Sequence, residues 1–181
     1  SLWCWGWNLY GQLGDGTTAG KSTPVQITQG VSSVSLGYGH TCAIKTDNSL
    51  WCWGRNDYGQ LGDGTTADKS SPVQITQGVS SVSLGDYHTC AIKTDNSLWC
   101  WGWNLYGQLG DGTTAGKSTP VQITQGVSSV SLGYGHTCAI KTDNSLWCWG
   151  RNDYGQLGDG TTADKSSPVQ ITQGVSSVSL G

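Results

Sequence analysis

Four near-identical copies of a 48-residue unit, with no run of helical periodicity and four short strand-like segments per unit, predict an all-β fold. The specific expectation is a β-propeller built from four-stranded antiparallel blades. Ser1, Ser49, Ser97 and Ser145 each open the string S-L-W-C-W-G, and Ser1–Gly85 is identical to Ser97–Gly181. Neighbouring copies differ at six positions: Trp7/Arg55, Leu9/Asp57, Gly20/Asp68, Thr23/Ser71, Tyr38/Asp86 and Gly39/Tyr87. The copies therefore alternate A-B-A-B, as repeats 1–48, 49–96, 97–144 and 145–181, within a single propeller segment. Composition agrees. Phe, Met and Glu are absent, which removes two good helix formers, and all twelve acidic residues are Asp set near Gly, Asn or Thr, as turns require.

The elements of one unit follow in order. Val31–Leu36 alternates apolar and polar residues between Gly30 and Gly37, as a short strand does. His40–Lys45 follows a Gly-Tyr-Gly turn, and Leu50–Arg55 is an aromatic-rich strand across Thr46-Asp47-Asn48. A Gly-rich loop, Gln60–Thr66, leads to a fourth strand at Pro72–Thr76, with Pro72 at its entry, where a missing N–H is tolerated. C-A-I and L-W-C-W are apolar on both faces, as the central strands of a blade must be when neighbours cover both sides.

In full the unit reads G-x-x-H-T-C-A-I-K-T-D-N-S-L-W-C-W-G-x-N-x-Y-G-Q-L-G-D-G-T-T. It resembles the repeat of the regulator of chromosome condensation family over the whole chain, most specifically through W-G-x-N-x-x-G-Q-L-G. The Cys-bearing H-T-C-A and C-W-G strings are similar to the bacterial members. The resemblance implies a propeller, usually of seven blades, whose rigid ring presents loops to a protein partner. Relatives include exchange factors for small GTPases, chromatin binders, light receptors and inhibitors of β-lactamases. Asn48 stands where the family usually has Gly in the hairpin turn, but Asn tolerates φ > 0.

Wedges cut for a seven-bladed ring turn roughly 50° each, so four span little more than half a circle. Leu2–Trp7 matches the third strand of a blade and Val175–Leu180 the first strand of another, with no H-T-C-A-I-K strand between them. Trp-rich blade faces would be exposed at both ends. The expected remedy is another copy of the chain: half of an eight-bladed ring, closed head to tail as a homodimer.

The seven Cys fall at 4, 42, 52, 90, 100, 138 and 148. If Thr46-Asp47-Asn48 is a three-residue loop with Asn48 left-handed, Cys42 faces Cys52 and small Ala43 faces large Trp51. A two-residue loop would set Cys42 opposite Trp53 and forbid the bond. The first register is favoured and predicts bridges Cys42–Cys52, Cys90–Cys100 and Cys138–Cys148, with Cys4 unpaired. Seven reduced, buried thiols are the alternative.

Candidate chemistry is sparse. His40, Cys42 and Cys52 give three potential zinc ligands where four are usual, and a structural His bonding turn carbonyls fits them better. Asp15-Gly16-Thr17-Thr18-Ala19-Gly20-Lys21-Ser22 lacks the first Gly of a phosphate loop and the helix that should follow. Asp15, Asp63, Asp111 and Asp159 offer one carboxylate per loop, far short of a calcium shell, and suit the binding of turn amides. No cofactor, metal or catalytic group is expected, since an active site is asymmetric and every feature here recurs.

Core positions do not tolerate exchange of Trp for Arg or Leu for Asp, so the variable positions should lie on exposed loops. Trp7, Leu9, Tyr38, Arg55, Asp57, Asp86, Trp103, Leu105, Tyr134, Arg151 and Asp153 form the candidate binding face. Variation inherited from two template blades would give the same pattern. A net charge of −3 supplies no basic footprint for nucleic acid or a membrane surface, and no stretch has the length and apolarity of a spanning helix. The opening S-L-W-C-W-G has no basic segment of the kind that starts a signal peptide. Copies this uniform arise by recent duplication or by construction, and the second reading is preferred: a designed, non-enzymatic, self-associating scaffold with no evolved ligand. The alternative is a natural bacterial propeller, extracellular or periplasmic given its Cys pairs, that binds a protein through its loops.

Overall fold

The computed structural model describes residues 1–181. Strands β1 (Leu2–Gly6) and β2 (Lys21–Thr28) form a two-stranded sheet. Three four-stranded antiparallel blades follow in chain order. The first holds β3 (Val31–Leu36), β4 (His40–Lys45), β5 (Leu50–Gly54) and β6 (Lys69–Thr76). The second holds β7 (Val79–Leu84), β8 (His88–Lys93), β9 (Leu98–Gly102) and β10 (Lys117–Thr124). The third holds β11 (Val127–Leu132), β12 (His136–Lys141), β13 (Leu146–Gly150) and β14 (Lys165–Thr172). Each blade is a simple meander, the chain is a propeller of blades offset from the sequence repeat, and β3, β7 and β11 are the strands through which successive sheets approach one another.

The hairpin between β4 and β5 shows why the register is fixed. Asn48 adopts φ 62°, its N–H bonds the Lys45 carbonyl, and the Lys45 N–H bonds the Ser49 carbonyl. This three-residue loop places Cys42 opposite Cys52 and Ala43 opposite Trp51. The same register recurs in the other two blades, and the bridges Cys42–Cys52, Cys90–Cys100 and Cys138–Cys148 are formed. Cys4 is the one free cysteine.

Cores sit between blades and not within them. One cluster joins Cys42, Leu50, Cys52 and Leu61 of one blade and its loop to Val79, Ala91 and Trp101 of the next. A second repeats the arrangement one blade further on. Trp53, Trp101 and Trp149 are fully buried, each donating its indole N–H to the carbonyl of Gln12, Gln60 or Gln108 in the preceding unit, at 2.9–3.0 Å. The Gly of Q-L-G makes room for the indole: a Cβ at Gly62 (φ +83°) would stand 2.6 Å from Nε1 of Trp101. The repeated G-Q-L-G loop is therefore a socket for the next blade's tryptophan.

Three details depart from the sequence expectation. The fourth strand begins at Lys69, three residues before Pro72, because it is the outermost strand and its outer edge needs no N–H donor. Val175–Leu180 is not a strand, since no strand lies beside it to pair. It is held instead by the Val175 N–H on the Asn144 carbonyl and the Leu180 N–H on Ser131 Oγ. His40 bonds no turn carbonyl: its Nε2 lies 3.0 Å from Thr89 Oγ1 of the next blade.

Candidate interaction surfaces

Two kinds of exposed surface stand out: a loop face rich in aromatic rings and arginine, and the two ends of the blade stack.

The loop face is assembled by the turn after each Gly of C-W-G and the turn before each H-T-C. Trp7, Arg55, Trp103 and Arg151 follow the first, and Tyr38, Asp86 and Tyr134 occupy the second. Trp7 packs edge-on against Tyr10 and Tyr38, Tyr38 touches Tyr87, and Tyr87 touches Tyr58, Trp103 and Tyr134. Trp103 continues the network to Tyr106 and Tyr134. The Arg55 guanidinium lies 4.9 Å from the Tyr10 ring and 5.0 Å from that of Tyr87, while its Nε and Nη2 grip Asp57 at 2.9 and 2.7 Å. Those bonds to Asp57 raise the arginine pKa beyond its ordinary value. Arg151 repeats the arrangement over Tyr106, Tyr134 and Tyr154, held by Asp153. Asp86 sits half-buried among these groups, and the loss of hydration raises its pKa. Leu9 and Leu105 are well exposed at the margin.

The eleven residues of the candidate face lie on exposed or half-exposed loops, and most join one connected patch. Differencing the repeats could not find Tyr10, Tyr58, Tyr106 and Tyr154, because they are the same in every copy. Their signal lies in the x-Y-G-Q-L-G string, where a large ring stands beside a tight turn. Asp15, Asp63, Asp111 and Asp159 are internal to their loops: Asp15 Oδ1 accepts from the Thr17 N–H and hydroxyl, and Oδ2 pairs with Lys21 at 3.1 Å.

The ends of the stack carry the two halves of the interface seen between blades. At one end Trp5, the counterpart of the fully buried Trp53, Trp101 and Trp149, is 59% exposed. At the other end no indole sits over Gly158: a Cβ there (φ +74°) would meet only an Ile171 methyl, at 3.6 Å, and Tyr154 is 84% exposed. Gly11, Gly59 and Gly107 each press against Ser70, Ser118 or Ser166 of the following unit, but Gly155 touches no such serine.

The family model described as the RCC1-like domain matches residues 1–181. The chain belongs to the RCC1-like domain family. Among solved structures, human WBSCR16 superposes with a TM-score of 0.87 at 23% identity, covering 99% of this chain and 50% of that one. Yeast RCC1 (Prp20) in complex with Kap60 gives 0.81 at 20% identity, covering 94% and 44%. Prp20p of Saccharomyces cerevisiae, a protein with binding properties to Gsp1p and histones, gives 0.82 at 21% identity, covering 94% and 46%. This RCC1-like chain therefore spans about half the length of the solved structures it matches. No curated protein sequence matches it.

Proposed function

We propose that this RCC1-like chain is a non-enzymatic, self-associating propeller scaffold in which two copies close one ring of eight blades. One observation carries the reading: the exposed Trp5 end and the empty Gln156–Gly158 end are the two halves of an interface the chain already makes between its own blades. Trp5 of a second copy is the side chain that fits over Gly158 and donates to the Gln156 carbonyl, as Trp53, Trp101 and Trp149 do to their own sockets. Ser22 of that copy then meets Gly155. Such a contact is heterologous, and a two-fold ring satisfies both ends at once. Two copies also have about the length of one WBSCR16 chain. The identity of Ser1–Gly85 and Ser97–Gly181 supports construction from two template blades.

In non-reducing solution the chain should have about twice its 19.1 kDa mass. Trp5→Ala, which removes the knob, and Gly158→Leu, which fills the socket, should each halve that mass while leaving the β spectrum intact. A wild-type monomer, or variants that stay dimeric, would exclude the ring.

The connected aromatic–arginine face favours a second role, capture of a protein partner, as aromatic and arginine enrichment favours at interfaces. Peptide display against the chain should enrich binders that are lost on Arg55→Ala with Trp103→Ala. Binders indifferent to both substitutions count against this face.

A further inference from the structure

We propose that Asp86 and the tyrosines around it form a subsite for the guanidinium of an arginine side chain presented by a protein partner. The inference rests on capture of a partner by the loop face and not on ring closure. Asp86 stands in the turn between β7 and β8, in the middle blade, with a complete four-stranded blade on either side. Its surroundings therefore owe nothing to either end of the chain.

Among the twelve aspartates, Asp86 is the one that no donor reaches. Those of the G-D-G-T-T loops pair with lysines, and those of the T-D-N-S turns accept from the following serine. Asp57 and Asp153 hold arginines, while Asp68 and Asp164 accept the N–H groups of Asn56 and Asn152. Asp86 is half-buried without any such bond, so hydration is lost and nothing replaces it. A carboxylate in that state gains from a charged donor that arrives from outside.

The difference between repeats places it among rings. The A units carry Tyr38-Gly39 and Tyr134-Gly135 in this turn, where the B unit between them carries Asp86-Tyr87. The carboxylate thus takes the position at which the blades on both sides present a tyrosine. Tyr87, next to it, spans the two, with its ring 5.8 Å from Tyr38 and 6.1 Å from Tyr134. Tyr38 and Tyr134 are both exposed, and so within reach of a ligand from solvent.

Arg55 shows what this combination of groups holds. Asp57 grips it through Nε and Nη2 at 2.9 and 2.7 Å, and its guanidinium lies 4.9 Å from the Tyr10 ring and 5.0 Å from that of Tyr87. A guanidinium suits such a place because its flat fork bonds a carboxylate twice and its weakly hydrated face stacks on rings. Asp86 with Tyr38, Tyr87 and Tyr134 offers the same two kinds of group. Arg55 and Arg151 are committed to Asp57 and Asp153, and each pair cancels. The charge of Asp86 is left uncompensated, which is complementary to a cationic side chain.

The blocked tripeptide acetyl-Gly-Arg-Gly-amide, titrated into the chain and followed by the amide shifts of Gly85–His88, tests the subsite. It should bind at least about tenfold tighter than the same peptide with citrulline in place of arginine, because the neutral isostere loses the charge-assisted bonds. Asp86→Asn should bring the arginine peptide down to the citrulline level. Equal binding of the two peptides, or none, overturns the proposal, as does undiminished binding to the Asp86→Asn chain. Tighter binding of the lysine counterpart also overturns it, since the site would then read a point charge and not a fork. These failures are separable from failure of partner capture: displayed binders that depend on Arg55 and Trp103 but ignore Asp86→Asn would keep the capture face and remove the arginine subsite.

Discussion

Replacing all three cystine pairs with alanine should leave the chain unable to hold its fold at room temperature. Each bridge ties strands across a hairpin at a sequence separation of 10. A loop of that size restricts the unfolded chain by about 2–3 kcal/mol on the loop-entropy account. Three such terms sum to about 6–9 kcal/mol, comparable with the whole stability of an ordinary domain at about 5–15 kcal/mol. One pair, Cys90→Ala with Cys100→Ala, should lower the thermal midpoint by about 4–12 °C for a chain of this size. The sulfurs of Cys42, Cys52, Cys90 and Cys100 belong to residues with no exposed surface, so reductant can reach them only after the blade opens. Thiol counting should then show Cys4 reacting at once and the other six only with unfolding. A triple-pair variant that melts within a few degrees of the parent would show that packing between blades, and not the bridges, holds the stack.

Strand identity was legible because each strand is bounded by turn residues whose conformation is needed. Asn48 at φ 62° and the Gly residues around Val31–Leu36 fix the hairpins, and the hairpins fix which Cys can meet. Contacts between blades were not legible. Nothing in H-T-C-A-I-K says that His40 reaches Thr89, 49 residues away, because that distance is set by how one blade stacks on the next. Val175–Leu180 shows the same limit from the other side. Its sequence is that of β3, β7 and β11, yet a strand exists only where another strand offers hydrogen bonds.

The loop face divides in the same manner. Exchange of Trp7 for Arg55 and of Tyr38 for Asp86 marked exposed positions, since a packed core would reject both. That Arg55 would lie between Tyr10 and Tyr87 depends on side chains from two adjacent blades. Repetition conceals such groups, because a residue present in every copy is indistinguishable from one kept for folding. Repetition also has a use: with the buried Trp53, Trp101 and Trp149 as reference, Trp5 stands out as the exposed copy of the same residue.

The buried histidines should make the fold acid-labile well above the pH at which carboxylates protonate. His40 and His88 are almost wholly enclosed, and each places Nε2 at 2.9–3.0 Å from a threonine hydroxyl of the next blade. Thr89 and Thr137 give their own hydroxyl hydrogens to the Gln60 and Gln108 carbonyls, so Nε2 must be the donor to the hydroxyl oxygen. Nδ1 is then a bare, buried nitrogen with no partner. Burial, reinforced by Arg55 for His40 and by His40 and His136 for His88, holds both at about 3, against an ordinary 6.5. As pH falls through 6.5 the unfolded chain takes up protons that the folded chain refuses until about pH 3, so stability is full above that window and declines through it. At pH 5 the loss is about 2 kcal/mol per histidine, or about 4 kcal/mol for the two. Asp159, held at about 2 by the hydrogen bonds of Thr161, affects stability only at lower pH. Urea unfolding at pH 7, 6 and 5 should therefore show a steady fall. His40→Gln with His88→Gln, which keeps an N–H donor for each threonine, should flatten the profile even where it lowers stability at pH 7. If parent and variant decline in parallel, the titrating groups lie elsewhere and the inter-blade histidines are not what limits the fold in acid.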